Sequence, residues 1–172
     1  NTAKVLERLN ELEAQKKSTS DMVAKFQSTI ASLRAKNAKV LKRFSELVNS
    51  DYHGFNFCCG VAAEGLEDPG KELPPIVEYL SARKKIFNVH FRNIRGGLND
   101  FVEVWPDEGD VDMHELARIF HRTGYPYMLM PDHAPIHPDD VAPEGLSGRV
   151  RQGWAFQFGY IIAMIQAVSK ES

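Results

Sequence analysis

The chain has 172 residues, 43% hydrophobic and 26% charged, with 21 basic against 23 acidic side chains and a net charge of −2. That length suits about one domain and falls short of the ~250 residues of a complete (β/α)8 barrel. Interspersed charge offers no basic field to nucleic acid, no apolar run nears the ~20 residues that span a bilayer, and no signal-peptide core leads the chain. A soluble, cytoplasmic protein with neither nucleic-acid nor membrane partners is expected.

Residues 1–50 contain no Gly and no Pro. Val5, Leu9, Leu12, Val23, Phe26, Ile30, Leu33, Val40, Phe44 and Leu47 recur at alternating spacings of four and three, with Lys16, Thr19 and Asn37 filling the same register. A sustained seven-residue repeat keeps one seam facing a partner helix, so a coiled coil or long antiparallel hairpin is one reading. An amphipathic helix packed on its own domain is the other. The polar run Gln15 to Asp21, with Ser20 as a candidate N-cap, makes a helix–turn–helix plausible.

From Asp51 onward, short apolar runs alternate with helical patterns. Gly54–Cys59 reads as a strand, followed by a loop over residues 60–69 and a helix over 73–83 with Ile76, Val77 and Leu80 on one face. Residues 86–91 form a second strand, and 93–109 a longer, partly extended segment. Asp110 or Asp112 caps a helix bearing Met113, Leu116, Ile119 and Phe120, which ends near Gly124. Residues 127–130 read as a third strand, 131–148 as a loop rich in Pro and Asp, and 154–168 as a terminal helix. The order β-α-β-α-β-α is that of parallel strands joined by crossover helices.

Each of these strands ends in residues able to bind a metal. Cys58 is a candidate thiolate ligand or a small buried hydrophobe, and Cys59 should point to the opposite face. That alternation also argues against a bridge between the two, and reduced thiols suit the cytoplasm. His90 is a candidate ligand or a structural histidine. Arg92 could grip an anionic substrate bidentately or pair with a loop acid. Asp132 and His133 could supply a carboxylate ligand and an imidazole acid/base, or an Asx-turn with a solvated His. The run His137-Pro138-Asp139-Asp140 could lean over the same face. His114 and His121 read as surface residues.

Five stretches, taken together, resemble the mannonate dehydratase family of xylose-isomerase-like TIM barrels. They are Phe44–Leu47, Gly54–Gly60 (GFNFCCG), Phe87–Gly96 (FNVHFRNIRG), Gly109–Met113 and Pro131–Pro135 (PDHAP). The resemblance covers about residue 38 to the end. It implies an α/β fold: a partial (β/α)8 barrel made of the last three βα units, residues 38–172, preceded by the amphipathic or coiled-coil segment 1–37. It also implies dehydration of D-mannonate to 2-keto-3-deoxy-D-gluconate with a divalent metal, Mn²⁺ first and Fe²⁺, Co²⁺ or Zn²⁺ as alternatives. Carried over by position, Cys58, His90 and Asp132 match metal ligands. His133, beside Asp132, matches an acid/base, and Arg92 falls near the substrate. A further His ligand is expected from strands not in this sequence, and Trp154 stands where a tyrosine is expected. The expected partners are a small sugar acid and either further copies of the chain or a complementing barrel half. Two other readings stay open: a sugar isomerase or epimerase of the same superfamily, and a helical scaffold carrying an inactive barrel fragment.

Overall fold

A computed structural model describes residues 2–97, 100–132, 134–135, 137 and 151–171. The first 45 of these form one continuous helix, α1 (Thr2–Glu46), so the expected break at residues 15–21 is absent. The hydroxyls of Thr19 and Thr29 bond back to the carbonyls of Gln15 and Lys25, which lets these polar residues sit inside a helix without competing for it. At 1.5 Å per residue the helix is roughly 67 Å long. Among its described residues, those that meet the rest of the chain lie in the last turns. Ser45 is buried, Leu41 packs against the core, Tyr79 donates to Glu46, and Phe44 stacks on Phe55 and His53.

The remainder is a mixed α/β fold built on a parallel sheet of β1 (Phe55–Cys58), β2 (Ile86–His90) and β5 (Leu129–Met130), in the order β1-β2-β5. A short helix, α2 (Cys59–Glu64), starts directly at the end of β1, where a loop is expected from the sequence. The next helix, α3 (Pro69–Ala82), begins four residues earlier than its apolar stripe suggests. Pro69 opens it, Asp68 caps it, and Glu72 Oε1 accepts from the backbone N–H groups of Glu67 and Asp68 at 2.9 and 2.7 Å. These are start signals that hydrophobic periodicity does not register.

The extended segment after β2 is an antiparallel hairpin of β3 (Asn93–Gly97) and β4 (Asp100–Val104), separate from the parallel sheet. Then come α4 (Met113–Arg122), capped by Asp112, and α5 (Arg151–Val168). None of the helices searched among the described residues is long and apolar enough to cross a membrane.

Side chains alternate across the strands, and the two faces of the sheet differ in kind. Phe57 and Val89 point into a core with Leu73, Val77 and Leu80 of α3 and Leu116, Ile119 and Phe120 of α4. The opposite face carries Asn56, Cys58, Asn88 and His90, which are exposed or half-buried.

Asn93 holds the hairpin to this body. It is 1% exposed, donates to the carbonyls of Pro106 and Val111 and accepts from the amides of Ile94 and Val111. Gly109 makes room for it: a Cβ there would fall 2.1 Å from Asn93 Cγ. Asn93→Ala should lower stability by about 2–4 kcal/mol, because several buried backbone groups lose their partner together. Urea unfolding followed by circular dichroism measures this, and a loss under about 0.5 kcal/mol would assign the anchoring to other contacts.

Candidate metal centre

Cys58 and His90 are paired neighbours in the β1–β2 register, and His90 pairs with Met130 of β5. Parallel strands end together, about 4.8 Å apart, so Cys58 and His90 lie side by side at the carboxyl edge of the sheet. Asp132, two residues beyond Met130, reaches the same point by turning back. Its φ is +67°, a left-handed conformation that Asp tolerates better than most residues and that recurs where a side chain must be aimed.

One donor atom from each of Cys58, His90 and Asp132 lies within 4.8 Å of the others. Donors that share an ion at 2.0–2.3 Å sit at most about 4.6 Å apart, so small side-chain rotations suffice to close them on one ion. All three residues are half-buried. His90 Nδ1 lies 3.2 Å from Asp132 Oδ2. Behind the ring, Asn56 Nδ2 is 3.3 Å from His90 Nε2, and Asn88 donates to Asn56 Oδ1 at 2.8 Å. These two amides fix the imidazole plane, as outer groups do for histidine ligands. Asn88 Oδ1 is buried with no hydrogen-bond partner among the described residues, as expected of a surface built to meet something polar. A sulfur, an imidazole nitrogen and a carboxylate oxygen suit Mn, Fe, Co or Zn better than Ca or Mg. The residues present fit a divalent transition metal.

Cys58 is held from below. Its sulfur accepts from Val61 N–H at 3.5 Å, capping α2, and from Arg92 Nε at 3.2 Å. Arg92 is 8% exposed and also pairs with Glu64 at 3.1 Å and Glu103 at 3.5 Å. Burial works against its charge. The hydrogen bond to Cys58 and the negative charges of Cys58, Glu103 and Glu64 outweigh that effect and keep its pKa above the usual arginine value. The contacts of Arg92 in this structure are thus with the chain's own acids and with the candidate ligand. Gly60 admits this packing, because a Cβ there would approach Arg92 Nε to 2.9 Å.

Cys59 faces the other way, fully buried in the core, and desolvation pushes its thiol well above the ordinary range. His133 lies outside the described residues, as do Pro138, Asp139 and Asp140. His137 lines a groove of about 370 Å³ with Trp105, Asp107 and Phe156. Trp154, on α5, packs edge-on against Phe158. His121 is exposed, whereas His114 is half-buried beside Glu171 at 3.3 Å. Asn56, Asn88, Glu64 and Glu103 are the contributors that motif reading passes over. The two asparagines had a signal: each stands two residues before a candidate ligand, and period two puts them on its face.

A parallel α/β sheet whose strand ends gather Cys, His and Asp defines a candidate metal centre of the kind found where such strands open. The chain belongs to the D-mannonate dehydratase (UxuA) family, whose profile matches residues 32–172. The mannonate dehydratase of Thermotoga petrophila is 27% identical over 137 residues, 78% of this chain and 36% of that protein. The mannonate dehydratase of Enterococcus faecalis is 34% identical over 113 residues, 64% of this chain and 30% of that protein. The crystal structure of mannonate dehydratase from Streptococcus suis serotype 2 matches with a TM-score of 0.67 at 24% identity, over 78% of this chain and 38% of that one, so the fold is shared. The chain thus spans about a third of the length of these relatives.

Proposed function

We propose that this chain supplies the metal-binding strand ends of an enzyme that dehydrates a sugar acid, D-mannonate, to 2-keto-3-deoxy-D-gluconate and water. The observation that carries the reading is the convergence of Cys58, His90 and Asp132 within 4.8 Å at the ends of three neighbouring parallel strands, in a chain of the D-mannonate dehydratase family.

A bound divalent ion would polarise the substrate's carboxylate and hydroxyl oxygens and so acidify the proton at C2. The chain's own groups do the rest. Cys58, His90 and Asp132 hold the ion, Mn²⁺ first among the candidates. Asn56 and Asn88 keep His90 in plane, and Arg92 fixes the Cys58 sulfur from beneath while lending positive charge to the anionic site. His133, adjacent to Asp132, takes the acid/base role. In the reaction the C2–H and C3–O bonds break and the C3 hydroxyl leaves as water. The resulting C2–C3 enol rearranges to the ketone.

The second part of the proposal concerns architecture. Asn56, Cys58, Asn88 and His90 on the polar face of the sheet are exposed or half-buried among the described residues, and β1 and β5 are its edge strands. We read residues 38–172 as the last three βα units of a (β/α)8 barrel and 1–37 as a separate helical segment. Further strands, on another chain or another part of the same protein, would complete the barrel and bring the remaining ligand. Reduced thiols at such a centre suit the cytoplasm.

The test combines this chain with the N-terminal remainder of the Enterococcus faecalis relative and follows 2-keto acid formation from D-mannonate with Mn²⁺. Metal-dependent product that is lost in His90→Ala supports the reading. Co-purification of the two parts with no 2-keto acid formed overturns it, and isomerised or epimerised sugar without loss of water selects the sugar isomerase or epimerase alternative.

A further inference from the structure

The first half of α1 makes no use of its apolar seam within the chain. Val5, Leu9, Leu12, Val23 and Phe26 are 47–62% exposed, and Val40 is 58% exposed. Among the described residues of α1, those packed on its own domain lie in the last turns, around Leu41 and Ser45. Most helices in proteins owe their stability to packing of an apolar face, and here that face is presented to solvent at its described positions from Val5 to Phe26 and again at Val40. Residues 2–31, which carry the seam from Val5 to Phe26, also lie outside the family match.

We propose that α1 pairs with the α1 of a second copy as a parallel, in-register coiled coil. Leu9, Lys16, Val23 and Asn37 fall seven or fourteen residues apart and occupy one set of seam positions; Val5, Leu12, Thr19, Phe26 and Val40 occupy the other. The first set follows the second by four residues, which makes it the a set and the other the d set. Two polar residues at a positions, Lys16 and Asn37, are the kind of insertion that specifies register at a cost in stability.

The flanking positions agree with a parallel arrangement. Arg8 falls at g and Glu13 at the following e, the pair that meets across a parallel dimer five residues apart, so each helix offers its partner an opposite charge. Met22, at a g position and 53% exposed, extends the apolar strip beside Val23. Val5, Leu9, Leu12, Val23, Phe26 and Val40 each leave about half of their surface exposed, and this is the apolar surface a paired helix would cover. A stable interface covers roughly 800 Å² per partner, which calls for pairing along the whole exposed seam and not at a single turn.

Sedimentation equilibrium of the chain at up to about 100 µM, a range suited to micromolar association, tests the pairing. The expected result is a dimer whose dissociation constant rises at least 100-fold in the double variant Leu9→Glu, Phe26→Glu. Both side chains are exposed, so the variant should keep the near-ultraviolet circular dichroism of the folded domain. A wild-type chain that stays monomeric overturns the proposal. So does a double variant that dimerises as before, since association would then run through the sheet edges. Orientation is read from Leu12→Cys treated with oxidised glutathione beside an identically treated wild-type control. A disulfide-linked dimer specific to the variant supports the parallel arrangement, and its absence in a sample that still dimerises overturns it.

Discussion

His90→Ala should weaken Mn²⁺ or Co²⁺ binding by on the order of 100-fold or more, beyond the 10–100-fold typical of losing an outer group. His90 has the largest expected effect because it is central in every sense the structure gives. β2 lies between β1 and β5, its register sets His90 beside Cys58, and its ring faces Asp132 at 3.2 Å. Removing the imidazole leaves a sulfur and a carboxylate with no donor between them. The fold should survive, since His90 points away from the core that Val89 fills. Isothermal titration with Mn²⁺ measures the effect, with circular dichroism to check folding. Unchanged affinity would place the ion elsewhere.

Arg92→Met should destabilise the domain by about 3 kcal/mol, the usual result of removing one partner from a buried charge network. The substitution keeps much of the apolar stem that packs against Gly60 but removes the cation that Glu64 and Glu103, each about one-fifth exposed, share. Adding Glu64→Gln and Glu103→Gln to Arg92→Met should recover much of the loss, because it is the uncompensated charge that costs most. Cys58 also loses the donor at 3.2 Å, so metal affinity should fall about 10-fold. Urea unfolding of the single and triple variants measures the first effect and titration the second. A stability loss below about 1 kcal/mol would show that the three charges do not act as a network.

Much of this arrangement was legible in the residues. The alternation of apolar and polar positions in Phe55-Asn56-Phe57-Cys58 and Phe87-Asn88-Val89-His90 announces strands with one buried and one chemical face, and the ligand-type residues at their ends mark where that face opens. The Asp112 cap and the apolar stripe of α4 were equally plain. Three features escaped pattern reading for physical reasons. The β3–β4 hairpin is short and half-exposed, so it lacks strong alternation, and it is anchored by one side chain, Asn93, three of whose four hydrogen bonds reach Pro106 and Val111, 13 and 18 residues away. The short helix α2 starts on the thiol of Cys58, an N-cap that propensity rules do not anticipate. The site of Arg92 is fixed by Glu64 and Glu103, 28 residues before it and 11 after, and no local motif connects the three. The break expected in α1 at residues 15–21 is absent, and Thr19, inside that stretch, bonds back to the carbonyl of Gln15.

The centre is tested most directly by cobalt. Co²⁺ added to the protein should produce a near-ultraviolet thiolate-to-metal charge-transfer band if Cys58 is a ligand. The band should vanish in Cys58→Ser and persist in Cys59→Ser, whose sulfur lies in the core on the other face. A protein that gives no such band with Co²⁺, or one whose band survives Cys58→Ser, would contradict the assignment of Cys58, His90 and Asp132 as a metal centre.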